Sequence, residues 1–233
     1  MKLKKVSVFV LAMFMLLVSG CNFAPIVNTP VDIEPLDTPE PIIMPTETPT
    51  IEPTLEPAPE PTPTPKVDPN PDFPYYLYVE KGSFTLTIYE KDENFEYTKI
   101  YKQYRIAHGG NKTPNGKFEL TDRRERWHHF PKGGDVQFAV AYKGNLYTHS
   151  PLYAADQNPR NMWPKYYDGE KGIGTASTGG CLRMVTEAAR FIYENCPPGT
   201  ILEIVNGNPR GTTSPDVPSR KGLRQDPTDI TVG

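Results

Sequence analysis

The chain contains three cysteines, and one of them lies in a loop suited to nucleophilic chemistry. Cys181 follows Gly179 and Gly180, and paired glycines permit unusual backbone angles and leave main-chain amides uncovered. Arg183, two residues further on, supplies positive charge, which favours a thiolate over a thiol. A purely structural cysteine has no need of such a loop, so Cys181 is the candidate nucleophile. Because cysteines 15 residues apart can also pair in an exported protein, a disulfide with Cys196 remains the alternative.

A cysteine nucleophile needs a general base, and the chain has four histidines. His149 ends the apolar run 145–148, and the end of a strand is a rigid mount for a base. His128 and His129 are adjacent and point apart in any extended segment, so we predict them on the surface of a polar loop. A buried, hydrogen-bonded His149 without a catalytic role is the alternative. No CxxC or HExxH pair occurs, and the sequence therefore predicts no metal site.

The elements that must position these residues are mostly short strands. Runs rich in β-branched and aromatic residues predict strands at residues 75–80, 84–89, 97–108, 118–121, 136–142, 145–149 and 200–205. Residues 187–195 have the apolar spacing of a short helix, with Thr186 as its N-cap and a Pro-Pro-Gly stop behind it. The turn signals recur at the spacing of a sandwich. The sequence therefore predicts a mainly β sandwich with one short helix over residues 75–206.

The N-terminus has the pattern of an export signal. Three lysines precede an apolar run at 6–18, and small residues stand before Cys21. Thirteen residues rise only about 20 Å as a helix, less than a hydrocarbon core of about 30 Å. The segment 17–21 resembles the lipobox of bacterial lipoproteins, which implies a signal peptide at 1–20 and a lipid on the Cys21 thiol. An ordinary signal peptide with a chance cysteine is the alternative.

Proline and charge then separate a linker from the domain. Residues 24–74 carry 16 of the 27 prolines, and ten acids against one lysine give this segment a net charge of −9. So few large apolar residues cannot offset the entropy of ordering, and we predict a disordered stalk at 21–74. An SH3 or WW ligand is the alternative for its Pro-rich motifs. Residues 207–233 are polar and predict a flexible tail. No segment is basic enough to predict nucleic-acid binding.

Several ordered motifs resemble those of one enzyme family. His149 and the later run Thr178-Gly179-Gly180-Cys181-Leu182-Arg183 are similar to the H…[S/T]-x-G-C-x-R motif of YkuD-type L,D-transpeptidases. Residues 110–118 resemble that family's G…TPxGxF segment, and residues 188–200 resemble its helix followed by P-x-G-T. The resemblance covers residues 75–206 and implies the family's β-sandwich fold.

The resemblance also implies roles for these residues. Cys181 would attack the amide that joins a diamino acid to the terminal D-Ala of a peptidoglycan tetrapeptide, and His149 would take its proton. The amides of Gly179, Gly180 and Cys181 would stabilise the oxyanion. Thr178 would support the loop or bond to His149, and Arg183 would hold the loop and bias the thiolate. Neither a cofactor nor a metal is implied.

Two departures from the family pattern affect the site. Many members have histidine at the position of Gly179, so only the backbone remains available there. The stretch from His149 to Cys181 is also longer than in compact members, and residues 151–174 are expected to form an inserted lid. The lid aromatics nominated for contact with substrate are Tyr153, Trp163 and Tyr166. A solvated loop without function is the alternative, although it would leave many large aromatics exposed.

Together these expectations describe a monomeric, lipid-anchored L,D-transpeptidase at the outer face of the cytoplasmic membrane, from which it would reach into the cell wall. Its partners would be peptidoglycan stem peptides and, through Cys21, the membrane. The same acyl-enzyme resolved by water would make an L,D-carboxypeptidase or endopeptidase. A third possibility is a wall-anchoring module that has the same fold but no catalytic activity. The presence of both His149 and Cys181 argues against it.

Overall fold

The computed structural model describes residues 66–131 and 133–232, and these contain ten strands and one α-helix. The strands are β1 (Tyr75–Glu80), β2 (Thr85–Glu90), β3 (Lys99–Ala107), β4 (Gly116–Glu119), β5 (Arg124–Phe130), β6 (Gly134–Lys143), β7 (Leu146–His149), β8 (Leu152–Tyr153), β9 (Leu182–Met184) and β10 (Ile201–Val205). The helix is α1 (Thr186–Asn195). The prediction of a mainly β fold with one short helix is confirmed.

The strands form one hydrogen-bonded path in the order β4-β10-β1-β2-β3-β9-β7-β6-β5, with β8 paired to β6. β1 runs parallel to β10 and β7 runs parallel to β9, whereas the other pairs are antiparallel. β3 joins two halves of this path: the first half contains β4, β10, β1 and β2, and the second contains β9, β7, β6 and β5. Most of β3 pairs with β2, whereas its final residues, Ile106 and Ala107, pair with β9. The short β9, which follows Cys181 directly, is thereby held between two longer strands.

The two halves enclose a common apolar core. Leu77, Ile88 and Ile106 from the first half are fully buried in the same cluster as Val140 and Met184 from the second. The end strand β4 also contacts the other half, since the ring centroids of Phe118 on β4 and Tyr142 on β6 are 5.5 Å apart. Removal of this much apolar surface from water is the main driving force for the fold.

Helix α1 covers one face of the core with its small and branched residues. Ala188, Ala189 and Ile192 are fully buried, and burial of a side chain such as Ile192 contributes about 1.5–3 kcal/mol. The prediction that Thr186 is the N-cap is wrong. The helix begins at Thr186, whose amide donates to Asp226 Oδ2 at 2.6 Å, so the cap comes from 40 residues further along the chain.

The C-terminal segment also differs from the flexible tail that the sequence predicts. Asp226 is fully buried, and Asp229 Oδ2 accepts a hydrogen bond of 2.8 Å from Gln137 on β6. Earlier in the segment, the Pro218 carbonyl accepts from Tyr167 Oη at 2.7 Å. Its polar residues are therefore partners for buried groups of the domain, a function that polar composition alone does not reveal.

Candidate active site

Parallel pairing of β7 and β9 brings the two catalytic candidates to one place. Thr148 is opposite Leu182, and His149 is opposite Arg183. Cys181 precedes Leu182, so its thiol lies beside Tyr147, whose amide donates to Sγ at 3.4 Å. Because side chains alternate between faces along a strand, the side chains of His149 and Cys181 lie on the same face of this pair. The register of two short strands thus sets the position of the site.

The His149 imidazole is oriented by its own neighbour. Its Nδ1 lies 2.6 Å from the carbonyl oxygen of Ser150, and because a carbonyl only accepts, Nδ1 carries the proton. In the neutral ring Nε2 is then the basic nitrogen. Burial lowers the pKa of His149 to about 3, the bond to Ser150 opposes that shift, and the charges of Arg183 and His128 add to it. The resting imidazole is therefore neutral at physiological pH.

Cys181 is also buried, and burial raises the pKa of its thiol. The Tyr147 amide, the amide of Cys181 itself and the Arg183 charge each act in the opposite direction. The sequence expectation that Arg183 favours the thiolate therefore has the correct sign, but desolvation outweighs it. Both Cys181 and Cys196 are free thiols, so the structure contradicts the disulfide alternative.

The loop before Cys181 is closed by the Thr178 side chain. Its hydroxyl donates to the Cys181 carbonyl oxygen at 2.7 Å and accepts from the Gly180 amide at 3.2 Å. Thr178 therefore supports the loop, the first of the two roles that the resemblance implies, rather than bonding to His149. The Gly180 amide is directed at this hydroxyl, which leaves the amides of Gly179 and Cys181 as the oxyanion candidates.

Arg183 is almost fully buried and ties the loop before Thr178 to β9. Its Nη2 donates to Ser177 Oγ at 3.0 Å and to the carbonyl oxygen of Lys171. Burial lowers the pKa of Arg183 to about 10, so the guanidinium keeps its charge at neutral pH. It also lies 5.3 Å from the centroid of the Tyr166 ring. A permanent cation therefore stands beside two neutral catalytic candidates.

Cys181 and His149 face a common cavity of about 530 Å³. Its wall includes the polar residues Ser177, Thr178 and Arg183, as well as apolar and small residues: Phe130, Pro131, Gly133, Leu146, Leu152 and Gly179. Asn145 and Tyr166 complete the lining. The volume lies within the range of small-molecule sites, and a candidate nucleophile, a candidate base and polar groups all line it. The geometry suits acyl transfer to sulfur within an apolar cleft.

The nominated lid residues take three different positions. Tyr166 lines the cavity. Trp163 packs beside it, with ring centroids 5.8 Å apart. Tyr153 is fully buried in the core, where its hydroxyl is 3.1 Å from Thr186 Oγ1, so its assignment to the lid is wrong. Strand β8, which contains Tyr153, pairs with β6. Tyr153 and Tyr167 are both fully buried by the domain, whereas a solvated loop would leave them exposed.

Sequence reasoning missed some neighbours of the base. Residues 124–130 form β5 rather than a polar loop, and they place the Phe130 ring 5.5 Å from the His149 ring. His128 lies on the same strand, with its ring 4.5 Å from that of Tyr147. His129 instead bonds to Asp135 at 2.8 Å. Trp127 and Phe130 are the available signal for a strand, but the polar residues around them favour a loop.

Other predictions concern residues that the structure does not describe. The signal peptide, Cys21 and the stalk up to residue 65 lie outside the described residues. Within residues 66–131 and 133–232, no helix has the length and apolarity needed to cross a bilayer. The same ranges contain no group of three or more His, Cys, Asp or Glu side chains arranged to hold a metal ion.

Comparisons with known structures find several similar chains. They include an L,D-transpeptidase from Mycobacterium smegmatis (16% identity, TM-score 0.42, 57% of this chain and 58% of that chain). They also include an L,D-transpeptidase from Stackebrandtia nassauensis (15% identity, TM-score 0.42, 59% of this chain and 58% of that chain). A fused Zn-dependent amidase/peptidase/peptidoglycan-binding domain-containing protein from Clostridium acetobutylicum is similar as well (20% identity, TM-score 0.43, 57% of this chain and 52% of that chain). The chain therefore spans between half and two thirds of these structures.

No curated protein matches the chain at a significant level. A family model does match: the one for the YkuD L,D-transpeptidase catalytic domain covers residues 74–204, which is more than half of the 233 residues. The matched segment contains all ten strands, the helix, Cys181 and His149, apart from the last residue of β10. The chain therefore belongs to the YkuD family of L,D-transpeptidase catalytic domains.

Proposed function

We propose that the chain is an L,D-transpeptidase that cross-links peptidoglycan stem peptides through a thioester on Cys181. The observation that carries this proposal is the shared cavity. It contains the Cys181 thiol and the His149 ring, whose Nδ1 is committed to Ser150 so that Nε2 is free to accept a proton. A buried thiol and a neutral imidazole that line the same cavity are the two groups that nucleophilic catalysis of this kind needs.

The reaction follows from these groups in two steps. Cys181 Sγ attacks the carbonyl carbon of the amide before the terminal D-Ala, and its proton passes to His149 Nε2. The carbon–sulfur bond forms, the carbon–nitrogen bond breaks, and the proton leaves on the D-Ala amine. The side-chain amine of a second stem peptide then attacks the thioester and gives its proton to His149. The new carbon–nitrogen bond forms, the carbon–sulfur bond breaks, and His149 returns the proton to Sγ. The Cys181 amide and the Arg183 charge support the negative charge that develops.

A test with the full chain would follow Cys181 by mass spectrometry during incubation with a tetrapeptide stem. The expected result is an adduct equal to the peptide less its terminal D-Ala. Cys181→Ala should abolish the adduct and the product. Cys196→Ala is the matched control, because Cys196 is fully buried away from the cavity lining, and it should keep most of the activity. Retained turnover in Cys181→Ala would overturn the assignment of the nucleophile.

Hydrolysis of the same thioester is the second candidate function, and the cavity supports it equally because water needs no acceptor pocket. Product analysis separates the two outcomes. A transpeptidase gives a cross-linked dimer when a diamino-acid acceptor is added, with tripeptide as the minor product. A carboxypeptidase gives tripeptide at the same rate with or without the acceptor.

We also propose that the chain is anchored at the outer face of the cytoplasmic membrane by a lipid on Cys21. The supporting observation is the lipobox-like run before Cys21, followed by the Pro-rich stalk. Buried acyl chains contribute about 0.8 kcal/mol per CH₂, so loss of the lipid should release the chain. Cys21→Ala should move it from the detergent-rich to the aqueous phase on phase separation, and an unchanged distribution would contradict the anchor.

A further inference from the structure

The peptide bond between Gly180 and Cys181 is held by two buried hydroxyl groups that do not line the cavity. The Gly180 carbonyl oxygen accepts from Thr113 Oγ1 at 2.9 Å and from Tyr142 Oη at 2.8 Å. Thr113 and Tyr142 are 1% and 3% exposed, and neither lines the cavity. A carbonyl has two lone pairs, so this oxygen is fully satisfied.

The direction of both hydrogen bonds is fixed by their surroundings. The Thr113 hydroxyl accepts from the Gly109 amide at 2.7 Å, and its own proton is therefore available for Gly180. Burial raises the pKa of Tyr142, so its phenol stays protonated and donates. The Thr113 carbonyl in turn accepts from the buried Lys81 Nζ at 3.0 Å. The two hydroxyls are thus parts of a rigid support rather than mobile groups.

A planar trans peptide directs its carbonyl and its N–H in opposite directions. No cis peptide occurs among the described residues, so a fixed Gly180 carbonyl also fixes the N–H of Cys181. That amide approaches the Cys181 sulfur, where it lowers the pKa of the thiol. An oxygen on a carbon newly bonded to Sγ would lie near the same amide. Removal of one preorganised donor of this kind lowers the rate of reaction by a factor of about 10²–10³.

We propose that Thr113 and Tyr142 are positioning residues that hold the Cys181 amide toward the developing oxyanion. The proposal rests on the proposed function, because it presumes acyl transfer to Cys181. Neither residue touches substrate; each acts through the Gly180–Cys181 peptide. Two donors on one oxygen also predict partial redundancy, so the loss of one hydroxyl should cost less than the loss of both.

The variants remove hydroxyls with little change of shape. Thr113→Val, Tyr142→Phe and the double variant are compared with Thr113→Ser, which keeps the hydroxyl. Tyr153→Phe is the matched control, because it also removes a buried phenol bonded to a neighbour, Thr186, but lies away from Gly180 and the cavity. All variants are made in the full chain.

Two reactions of Cys181 are measured, and only one needs an oxyanion site. A carbapenem acylates the thiol by opening its lactam carbon–nitrogen bond through a tetrahedral oxyanion. Iodoacetamide alkylates the thiolate by displacing iodide and forms no oxyanion. Alkylation is measured on its alkaline plateau, so that a change in the thiol pKa does not affect the comparison.

The expected result is a 10- to 100-fold loss of acylation in the double variant, with plateau alkylation within twofold of wild type. Thr113→Ser and Tyr153→Phe should acylate like wild type. Unchanged acylation in the double variant, or equal losses in both reactions, would overturn the proposal. A wild-type chain acylated by the carbapenem but not by the tetrapeptide contradicts the proposed function alone. A wild-type chain acylated by neither contradicts both.

Discussion

A titration of Cys181 reactivity against pH tests whether the resting site is a neutral thiol beside a neutral imidazole. Burial raises the pKa of Cys181 and lowers that of His149 to about 3. An ion pair of thiolate and imidazolium would require the opposite order, with the thiol more acidic than the imidazolium. The structure therefore predicts that the proton stays on sulfur until a substrate carbonyl is attacked.

The size of the effect follows from the direction of these shifts. An ordinary thiol with a pKa of about 8.5 is only a few per cent ionised at pH 7, and a raised pKa makes that fraction smaller. Alkylation of Cys181 should rise tenfold per pH unit from pH 6 to at least pH 8. The midpoint should lie above that of a free thiol. No inflection from His149 should appear near pH 6.5, because its lowered pKa keeps the ring neutral until about pH 3.

The assay follows iodoacetamide labelling by mass spectrometry in a Cys196→Ala background. Burial raises the pKa of Cys196 to about 12, so this thiol should contribute little, and its removal leaves Cys181 as the only cysteine among the described residues. The label is read on the peptide that contains Cys181, which separates it from any label on Cys21. His149→Ala serves as the control, since a neutral imidazole should leave the midpoint of Cys181 almost unchanged. An alkylation rate that is independent of pH between 5 and 8 would refute the reasoning, because it would show a preformed thiolate.

Two further substitutions test the support of the site. Asp226→Ala removes the acceptor of the Thr186 amide at the start of α1, and loss of a buried cap should lower the free energy of unfolding by about 1–3 kcal/mol in urea denaturation. Gly180→Ala should reduce acylation of Cys181 at least tenfold, measured by mass spectrometry. Gly180 has a φ of +127°, and a Cβ there would lie 2.7 Å from the Lys112 carbonyl oxygen and 2.8 Å from Leu146 Cδ2.

Each substitution has a neighbour as its control. Asp216 is an exposed acid in the same C-terminal segment, and Asp216→Ala should change stability by less than 0.5 kcal/mol, about the usual limit for surface sites. Gly179 has no positive φ and no atom within 4 Å of an added Cβ, so Gly179→Ala should be tolerated. Equal effects within either pair would show that the cap or the backbone geometry is not the cause.

The catalytic candidates could be predicted because their signals are local. The glycines before Cys181 and the apolar run before His149 stand within a few residues of the groups that they position. Strand prediction also succeeded where apolar runs were bounded by turns, as in Tyr75–Glu80 and Leu146–His149. Neither strand has a fully exposed residue, so the short apolar runs that predict these strands are also the residues that the domain buries.

The supports of the site could not be predicted, because they join residues far apart in sequence. Asp226 caps a helix that begins 40 residues earlier, and Thr113 bonds to Gly180 across 67 residues. A polar residue that will be buried in a network has the same composition signal as one in a solvated loop. For this reason the C-terminal segment was predicted to be flexible and Thr186 to be the N-cap, although tertiary contacts assign those roles differently.

Under the proposed mechanism, the charges of the site indicate which groups would stabilise the transition state. A neutral Cys181 and a neutral His149 leave Arg183, with a pKa of about 10, as a fixed positive charge in the cavity wall. This charge has little to stabilise in the resting state, whereas the proposed attack on a carbonyl creates an oxyanion, which Arg183 attracts, together with a cationic His149, which Arg183 opposes. Interactions that strengthen only as charge develops accelerate the chemical step rather than ground-state binding. The Cys181 amide acts in the same sense, because its direction is set before substrate arrives. Burial of the thiol therefore reduces its reactivity toward simple electrophiles, while the same enclosed surroundings increase the benefit of the amide and Arg183 to an acyl substrate.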